Sequence, residues 1–483
     1  MLLGDLVPAD VGLPAGASAI DIKGVSADSR AIAPGFLFAA LPGAATDGAR
    51  FAGEAIRRGA VAILAEQHAD IPGDVPILRA HDARRALALI AARYHPRQPE
   101  HLVAVTGTSG KTSVADFTRQ IFALTGHAAA SVGTLGVVTS RGTAYGTLTT
   151  PDPVALHKEL DGLAAMGVTH AVVEASSQGL DQRRTDGLRI EAAAFTNLGR
   201  DHMDYHPTVE AYLAAKMRLF TVVLPPSGTV VIDMDGARAG AVEEESAERG
   251  LKLIRVGKAG EEIRLLDLVP DDFRQQLTLR AFGRQREVLL PLAGAFQASN
   301  ALVAAGLAIA AGVPADAVFD ALERLTGAPG RLELTGRKAN GAMVFIDYAH
   351  KPDALVSMLG ALRPMTVGRL VVVFGAGGNR DAGKRPLMGR AAANNANVVI
   401  VTDDNPRFEN AAAIRKAIVA AAPEAIEIAD RGEAIRQAVA MLEEGDVLCV
   451  AGKGHESGQI VGERTIPFSD RDAVLAALAE EAA

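Results

Sequence analysis

Short, nearly continuous apolar runs alternate with longer amphipathic stretches through most of this chain. The first clear run is His101-Leu-Val-Ala-Val105, followed by His170-Ala-Val-Val-Glu174, Ala192-Ala-Ala-Phe-Thr196 and Thr229-Val-Val-Ile-Asp233. Apolar runs alternating with helical stretches predict a mainly parallel α/β sheet. From about Phe273 to Leu292 the pattern turns strand-rich, and Gln276-Leu-Thr-Leu-Arg280 alternates as a half-exposed strand would. An alanine-rich helix is predicted from about Ser299 to Ala311. A second α/β block starts near Gly330-Arg331, with strands at Met343-Val-Phe-Ile346, Leu370-Val-Val-Val-Phe374, Val398-Val-Ile-Val-Thr402 and Val447-Leu-Cys-Val450. Ahead of His101, shorter strands and helices end at Tyr94-His-Pro-Arg-Gln-Pro99, a linker. The pattern therefore predicts an α/β protein of three domains, 1–98, 99–329 and 330–483.

One helical stripe carries an oddity. After Pro207, residues Val209, Leu213, Lys216 and Phe220 share one narrow face at 3.6 residues per turn. A lysine inside an apolar stripe must snorkel, pair with a carboxylate, or lose its charge, and the pattern alone favours snorkelling. Reaction of the neutral amine with CO₂ is one way to lose it, leaving an anionic carbamate able to bind magnesium.

Composition narrows the class. A chain of 483 residues exceeds a single core. Its net charge of −8 gives no electrostatic footprint for nucleic acid, so local basic residues must serve a small anionic ligand. The single cysteine, Cys449, lies in an apolar run and reads as a buried small hydrophobe. No apolar stretch reaches the roughly 18 residues of a membrane span, and the N-terminus lacks the basic region of a signal peptide. A cytoplasmic protein without membrane insertion is expected.

The chemistry sits at strand exits. Thr106-Gly107-Thr108-Ser109-Gly110-Lys111-Thr112 follows the first apolar run and leads into a helix over about Ser113 to Leu124. Such a turn offers backbone N–H groups to a phosphate chain, Lys111 adds a cation, and the Thr112 hydroxyl can ligate Mg²⁺. Val105 stands where the full Walker pattern has its first glycine. Glu174 ends its strand and is placed either to bind Mg²⁺ or as an ordinary polar strand end. Thr196-Asn-Leu-Gly-Arg-Asp-His-Met-Asp-Tyr-His206 has neither Cys nor an H-E-x-x-H helix. It offers His202 as a supporting magnesium ligand, or is a surface loop without metal. Asp347-Tyr-Ala-His-Lys-Pro352, Phe374-Gly-Ala-Gly-Gly-Asn-Arg-Asp381, Thr402-Asp-Asp-Asn-Pro-Arg407 and Ala451-Gly-Lys-Gly-His-Glu456 each follow a predicted strand. Together they imply a cleft lined by Arg380, Asp404, Arg407 and Glu456, suited to a zwitterionic amino acid.

The order of these motifs resembles that of the Mur ligases. It covers T-G-T-S-G-K-T, E-A-S-S-Q-G-L, N-L-G-R-D-H-M-D-Y-H, the Lys216 helix, the Gly294–Ala301 segment, G-R-L-E, D-Y-A-H-K-P, G-N-R-D, D-N-P-R and G-K-G-H-E, with Ser26-Ala-Asp-Ser-Arg30 near the start. Among them the chain most resembles the members that add 2,6-diaminopimelate to UDP-N-acetylmuramoyl-L-alanyl-D-glutamate. The resemblance implies an N-terminal domain for the UDP end of the substrate, a central P-loop-like ATPase and a C-terminal Rossmann-like domain. ATP would phosphorylate the D-glutamate carboxylate, and the amine of meso-diaminopimelate would attack the acyl phosphate. Two Mg²⁺ ions, a monomeric chain and domain closure that excludes water are also implied.

Residue by residue, the resemblance implies ATP contacts at Gly107, Thr108, Ser109, Gly110, Lys111, Thr112 and Ser113, with Asn300, Arg331 and Asp347 on adenine and ribose. It implies Lys216 as a carbamylated lysine, Thr112 and Glu174 on one magnesium, and His202 with modified Lys216 on the other. Lys111, Lys216, His202 and Glu174 would carry the catalysis. Ala27, Ser29, Ala44, Ala45 and Thr46 align with uridine-diphosphate contacts, and Thr149, Thr150, Ser176, Gln182 and Arg184 with muramoyl-peptide contacts. Arg380, Asp404, Asn405, Pro406, Arg407, Gly452 and Glu456 align with the amino-acid pocket. D-N-P-R marks diaminopimelate specificity in the family, and Arg407 can pair bidentately with the distal carboxylate that lysine lacks. Gln178 and Ser109 depart from the commoner His and Asn, and neither removes a needed charge. Three rivals would differ at identifiable places. A lysine-adding relative would lack Arg407, a folylpolyglutamate synthase would lack D-N-P-R and the uridine domain, and a nucleotide switch would not need Lys216.

Overall fold

The continuous apolar runs are interior strands. The computed structural model describes residues 1–43 and 46–481, and these fall into two units: Met1–Arg264 with Leu302–Val318, and Leu265–Ala301 with Phe319–Ala483.

The first unit opens with four parallel strands in chain order, β1 (Gly24–Ser26), β2 (Phe36–Ala40), β3 (Ala60–Glu66) and β4 (Ile77–Ala80). Helix Ala83–Tyr94, capped by the Asp82 carboxylate on the Arg85 N–H, buries Ala86, Leu87 and Ile90 beside them. The expected linker begins on the last residue of this helix and is tied down. Gln98 is buried, donates to the Gly187 carbonyl at 3.0 Å and accepts from the Arg189 N–H at 2.9 Å.

Beyond it lie β5 (His101–Thr106), β6 (Ala129–Gly133), β7 (Gly136–Thr139), β8 (Gly142–Ala144), β9 (His170–Glu174), β10 (Ala192–Phe195), β11 (Thr229–Asp233) and β12 (Lys252–Gly257). Their spatial order is β12-β11-β10-β5-β9-β6-β7-β8. Pairing is parallel from β12 to β6 and antiparallel through β7 and β8. β5 is flanked by β10 and β9 with the carboxyl ends level, since Thr106 pairs with Phe195 and Val105 with Glu174. The loops that leave these three strands therefore converge. Val105 is fully buried in the β5 ladder, and the turn begins at Gly107, which is why the chain dispenses with a glycine at position 105. The next strand, β13 (Ile263–Asp271), starts parallel to β12.

In the second unit, β14 (Arg274–Ala281) and β15 (Arg284–Leu290) form an antiparallel hairpin that buries Leu277 and Leu279, as the alternation predicted. Helix Ala295–Ala310, whose residues from Leu302 on belong to the first unit, starts a turn earlier than the alanine pattern suggested, where Gln297 N–H closes onto the Gly294 carbonyl. A six-stranded sheet follows, from β16 (Glu333–Arg337), β17 (Met343–Asp347), β18 (Leu370–Phe374), β19 (Val398–Val401), β20 (Ile426–Glu427) and β21 (Val447–Ala451), in the order β16-β17-β21-β18-β19-β20. Only β16 runs antiparallel. Alternate residues of its strands face two cores, Phe345 and Phe374 on one and Val344 and Val371 on the other. Cys449 is buried on the first, as expected. A short hairpin, β22 (Gly458–Val461) with β23 (Arg464–Pro467), follows.

Candidate active site

The phosphate loop is shaped by two glycines. Gly107 has φ +147°, and a Cβ there would meet Thr196 Oγ1 at 1.9 Å. Gly110, at φ +88°, is the left-handed cap of a helix that runs Lys111–Leu124, two residues longer at its start than the sequence suggested. The first intrahelical bond is Val114 N–H to the Gly110 carbonyl, so the N–H groups ahead of it have no acceptor within the helix. The segment after β10 braces the loop. Thr196 Oγ1 donates to the Ser109 carbonyl at 2.6 Å, Ser109 N–H to Asn197 Oδ1 at 3.1 Å, and Gly199 N–H to Thr108 Oγ1 at 2.8 Å.

Glu174 stands beside this helix. Its buried carboxylate accepts from Thr112 Oγ1 at 3.0 Å and from the Thr134 N–H and hydroxyl at 2.8 and 3.1 Å. It pairs with no Lys, Arg or His among the described residues. A buried carboxylate held only by neutral donors, with a threonine hydroxyl against it, is an oxygen donor set that fits a hard divalent cation. Among the described residues there is no cluster of three His, Cys, Asp or Glu able to hold a metal by themselves.

Lys216 corrects the pattern-only expectation. It does not snorkel: the residue is 1% exposed and its Nζ donates to the Gly107 carbonyl at 2.6 Å. Helix Val209–Arg218, capped by Thr208 Oγ1, sets Tyr212 one turn before Lys216, and Nζ lies over the Tyr212 ring at 4.4 Å. Burial first, and the neighbouring Lys111 ammonium second, push the Lys216 amine well below the ordinary lysine range, against a weaker pull from Asp201. The Lys111 ammonium donates to the carbonyls of Gly107 and Thr108 at 2.9 and 3.0 Å, so the two lysines share one acceptor. The His202 ring sits edge-on to Tyr212 at 6.3 Å, with its own backbone at φ +54°. The structure thus gathers Lys111, Lys216, His202, Thr112 and Glu174 around one loop and its flanking helices.

The expected peptide contacts also cluster in this unit. Thr150 Oγ1 donates to the Glu174 carbonyl at 2.8 Å and accepts from the Ser176 N–H at 2.9 Å. Arg184 donates to the Thr150 carbonyl at 2.7 Å and to Gln182 Oε1 at 2.8 Å, and Thr149 Oγ1 meets Thr134 Oγ1 at 3.0 Å. Ala27 and buried Ser29 follow β1, and Thr46 follows β2, at the carboxyl ends of neighbouring strands. Ala44 and Ala45 lie outside the described residues.

In the second unit, Asn300 Nδ2 donates to Gln297 Oε1 at 3.0 Å, and Gln297 Nε2 to the Arg331 carbonyl at 2.9 Å. The Arg331 guanidinium stacks over Tyr348 at 4.4 Å. Asp347 accepts from the Leu332 and Ala349 N–H groups, both at 2.7 Å, and burial pushes its carboxyl up despite the Arg331 charge. Asn300, Arg331 and Asp347 are therefore linked through Gln297 and Tyr348, neither of which the sequence singled out.

The predicted amino-acid pocket assembles where β18, β19 and β21 end. Arg407, at φ +52°, donates from Nη1 to the Gly378 carbonyl at 2.9 Å, and a Cβ on Gly377 would meet that nitrogen at 2.8 Å and Arg380 Cγ at 3.9 Å. A Cβ on Gly452 would meet the Asp404 carboxylate at 2.7 Å. Asn405 Nδ2 donates to Glu456 Oε2 at 2.9 Å. Pro406 stands between Asn405 and Arg407 in this turn. Sequence reasoning missed Lys453, which is fully buried and donates to both Asn405 and Glu456. Its signal was available: a lysine between two glycines at the end of an apolar strand. Thr134 and Tyr212 were missed too, and Tyr212 was legible as the residue one helical turn before Lys216.

A phosphate loop on a parallel sheet, a buried carboxylate beside it, and a second sheet with a charged pocket at its carboxyl ends are the parts of a nucleotide-using α/β ligase. Comparison with known proteins narrows that class. Residues 21–95 match the "Mur ligase family, catalytic domain", 105–308 the "Mur ligase middle domain" and 330–454 the "Mur ligase, glutamate ligase domain". The chain is 56% identical to the UDP-N-acetylmuramoyl-L-alanyl-D-glutamate–2,6-diaminopimelate ligase of Bradyrhizobium diazoefficiens, over 100% of both chains. A solved structure of a ligase with that name superposes with a TM-score of 0.74 at 32% identity, covering 100% of this chain and 99% of the other. The MurF ligase of Thermotoga maritima in complex with ADP shares the fold, with a TM-score of 0.64 at 18% identity, 96% of this chain and 98% of that one. The chain belongs to the Mur ligase family.

Proposed function

We propose that this chain uses ATP to join meso-2,6-diaminopimelate to the D-glutamate carboxyl of UDP-N-acetylmuramoyl-L-alanyl-D-glutamate, a step of peptidoglycan synthesis. What supports this most is identity along the whole length to a relative of that name, together with an arginine–carboxylate pocket built from the D-N-P-R and G-K-G-H-E turns. In this reading domains 1–98, 99–329 and 330–483 take the uridine end, the ATP phosphates and the amino acid, a division supported by family matches over 21–95, 105–308 and 330–454.

The chemistry follows from the residues. Loop N–H groups from Gly107 to Ser113 and the Lys111 ammonium hold the ATP phosphates, while Asn300, Arg331 and Asp347 hold adenine and ribose. Thr149, Thr150, Ser176, Gln182 and Arg184 orient the peptide, with Ala27, Ser29, Thr46 and the neighbouring Ala44 and Ala45 on the uridine diphosphate. A D-glutamate carboxylate oxygen attacks the terminal phosphorus, ADP leaves, and the diaminopimelate amine then displaces phosphate from the acyl carbon as its proton departs. Two Mg²⁺ ions, when bound, would neutralise the charge on the migrating phosphoryl group. Thr112 and Glu174 would hold one of them. His202 and Lys216 would hold the other, which requires Lys216 to be an anionic carbamate, since an ammonium repels a cation. The uncharged, CO₂-reactive amine that this needs is what burial beside Lys111 favours. Arg380, Asp404, Asn405, Pro406, Arg407, Gly452 and Glu456 receive the diamino diacid, Arg407 on its distal carboxylate. The protein would act as a cytoplasmic monomer; among the described residues no helix is long and apolar enough to cross a membrane.

Incubation with ATP, the UDP-muramoyl dipeptide and a panel of diamino acids tests this. Phosphate release is expected with diaminopimelate and to be far weaker with lysine. Release with lysine alone, or without any dipeptide, would refute it.

A further inference from the structure

Lys453 is fully buried, yet its ammonium has three acceptors: Gly458 O at 2.6 Å, Glu456 Oε2 at 3.0 Å and Asn405 Oδ1 at 3.2 Å. Those bonds use all three of its N–H donors. Asn405 is locked in turn, because Oδ1 also accepts from Ile460 N–H at 2.9 Å while Nδ2 donates to Glu456 Oε2. Both donors fall on Oε2 of Glu456, which leaves Oε1 as the oxygen free to meet a ligand ammonium. One lysine therefore fixes the D-N-P-R turn, the G-K-G-H-E exit and hairpin β22–β23 to each other.

It also sets the charge of the pocket. Among the residues read as this pocket, Glu456 is paired with Lys453 at 3.0 Å, which leaves Arg380 and Arg407 against one carboxylate, Asp404. An excess of positive charge suits a diamino acid with two carboxylates and opposes one that carries a second amine without the second carboxylate.

We propose that Lys453 is a positioning residue whose buried charge turns Glu456 and makes the pocket discriminate against cationic diamines such as lysine. The proposal rests on the reading of this pocket as the diaminopimelate site. Its test is the ratio of kcat/KM for diaminopimelate to that for lysine, in the full-length enzyme and in K453M and K453Q. Glutamine keeps a donor for Asn405 and Gly458 while removing the charge, so it remains informative where methionine leaves the site unpaired. The ratio is expected to fall at least about tenfold, through a higher KM for diaminopimelate and a lower one for lysine, with ATP affinity unchanged. An equal loss for both substrates, a change confined to kcat, or failure of both variants to fold would overturn it, since each would make Lys453 merely structural. A wild-type enzyme that releases no phosphate with diaminopimelate would remove the underlying reading of the pocket instead.

Discussion

Glu174 and Gly107 carry the most weight per atom in the first unit, for different reasons. The Glu174 carboxylate is buried and takes three hydrogen bonds from Thr112 and Thr134, so its removal has both a structural and a chemical consequence. Glu174→Gln keeps an acceptor for the Thr134 N–H and should fold. It should still lose ATP-dependent phosphate release by about a hundredfold, as the anionic oxygen facing Thr112 is gone. Glu174→Ala strands those donors as well and should cost a further 1–3 kcal/mol or so in denaturant unfolding. Near-normal turnover in Glu174→Gln would argue against any metal role. Gly107 is steric: a methyl group would collide with Thr196 Oγ1, and φ is already +147°. Gly107→Ala should weaken ATP binding by roughly 2 kcal/mol or more, read by calorimetry.

At the scale of the elements, strand identity and the turns at their carboxyl ends were legible in the sequence, because buried parallel strands must be apolar throughout and sites collect where they end. Helix starts were less so. Gly110 and Gly294 set theirs by backbone geometry, which the apolar pattern does not encode. The fate of Lys216 was illegible from periodicity alone, since a stripe shows which face a residue is on and not whether a carbonyl such as that of Gly107 waits there. The histidines at the other end of the sheet carry a prediction of their own. His101 and His170 open β5 and β9 as a register pair, and His170 stacks with both His101 and His127 at 4.4 and 4.0 Å. Burial, with those two neighbours, lowers His170 to about 4. His157, on helix Pro153–Ala165, donates from Nε2 to the Asp186 carbonyl and is lowered to about 4, chiefly by burial. Above pH 6.5 these rings are neutral folded or unfolded and contribute no pH dependence. Below it the unfolded chain takes up protons that the folded one refuses, so the contribution of these two rings should fall as pH drops from about 6.5 and level off below about 4. His157 alone accounts for about 3 kcal/mol. Burial raises Asp233 to about 6, and it titrates over the same range with the opposite sign, so the difference in denaturation midpoint between wild type and His157→Gln isolates the ring; a difference independent of pH there would contradict the burial of His157.

In the whole molecule, the proposed labour is divided between two units: the first energises a carboxylate, and the second selects the amine and holds the adenine end of ATP. Variants should therefore separate. Arg407→Ala, whose guanidinium stands beside Gly377 and Gly378, should raise KM for diaminopimelate at least tenfold or so and leave the Kd for ATP unchanged; an unaltered KM would move the distal carboxylate elsewhere. In the proposed reaction the terminal phosphoryl group of ATP is carried by the D-glutamate carboxylate before the amine arrives. Labelling that carboxylate with oxygen-18 and weighing the released phosphate tests it directly. One labelled oxygen should leave in the phosphate for each amide bond formed. Amide formation with unlabelled phosphate would contradict it.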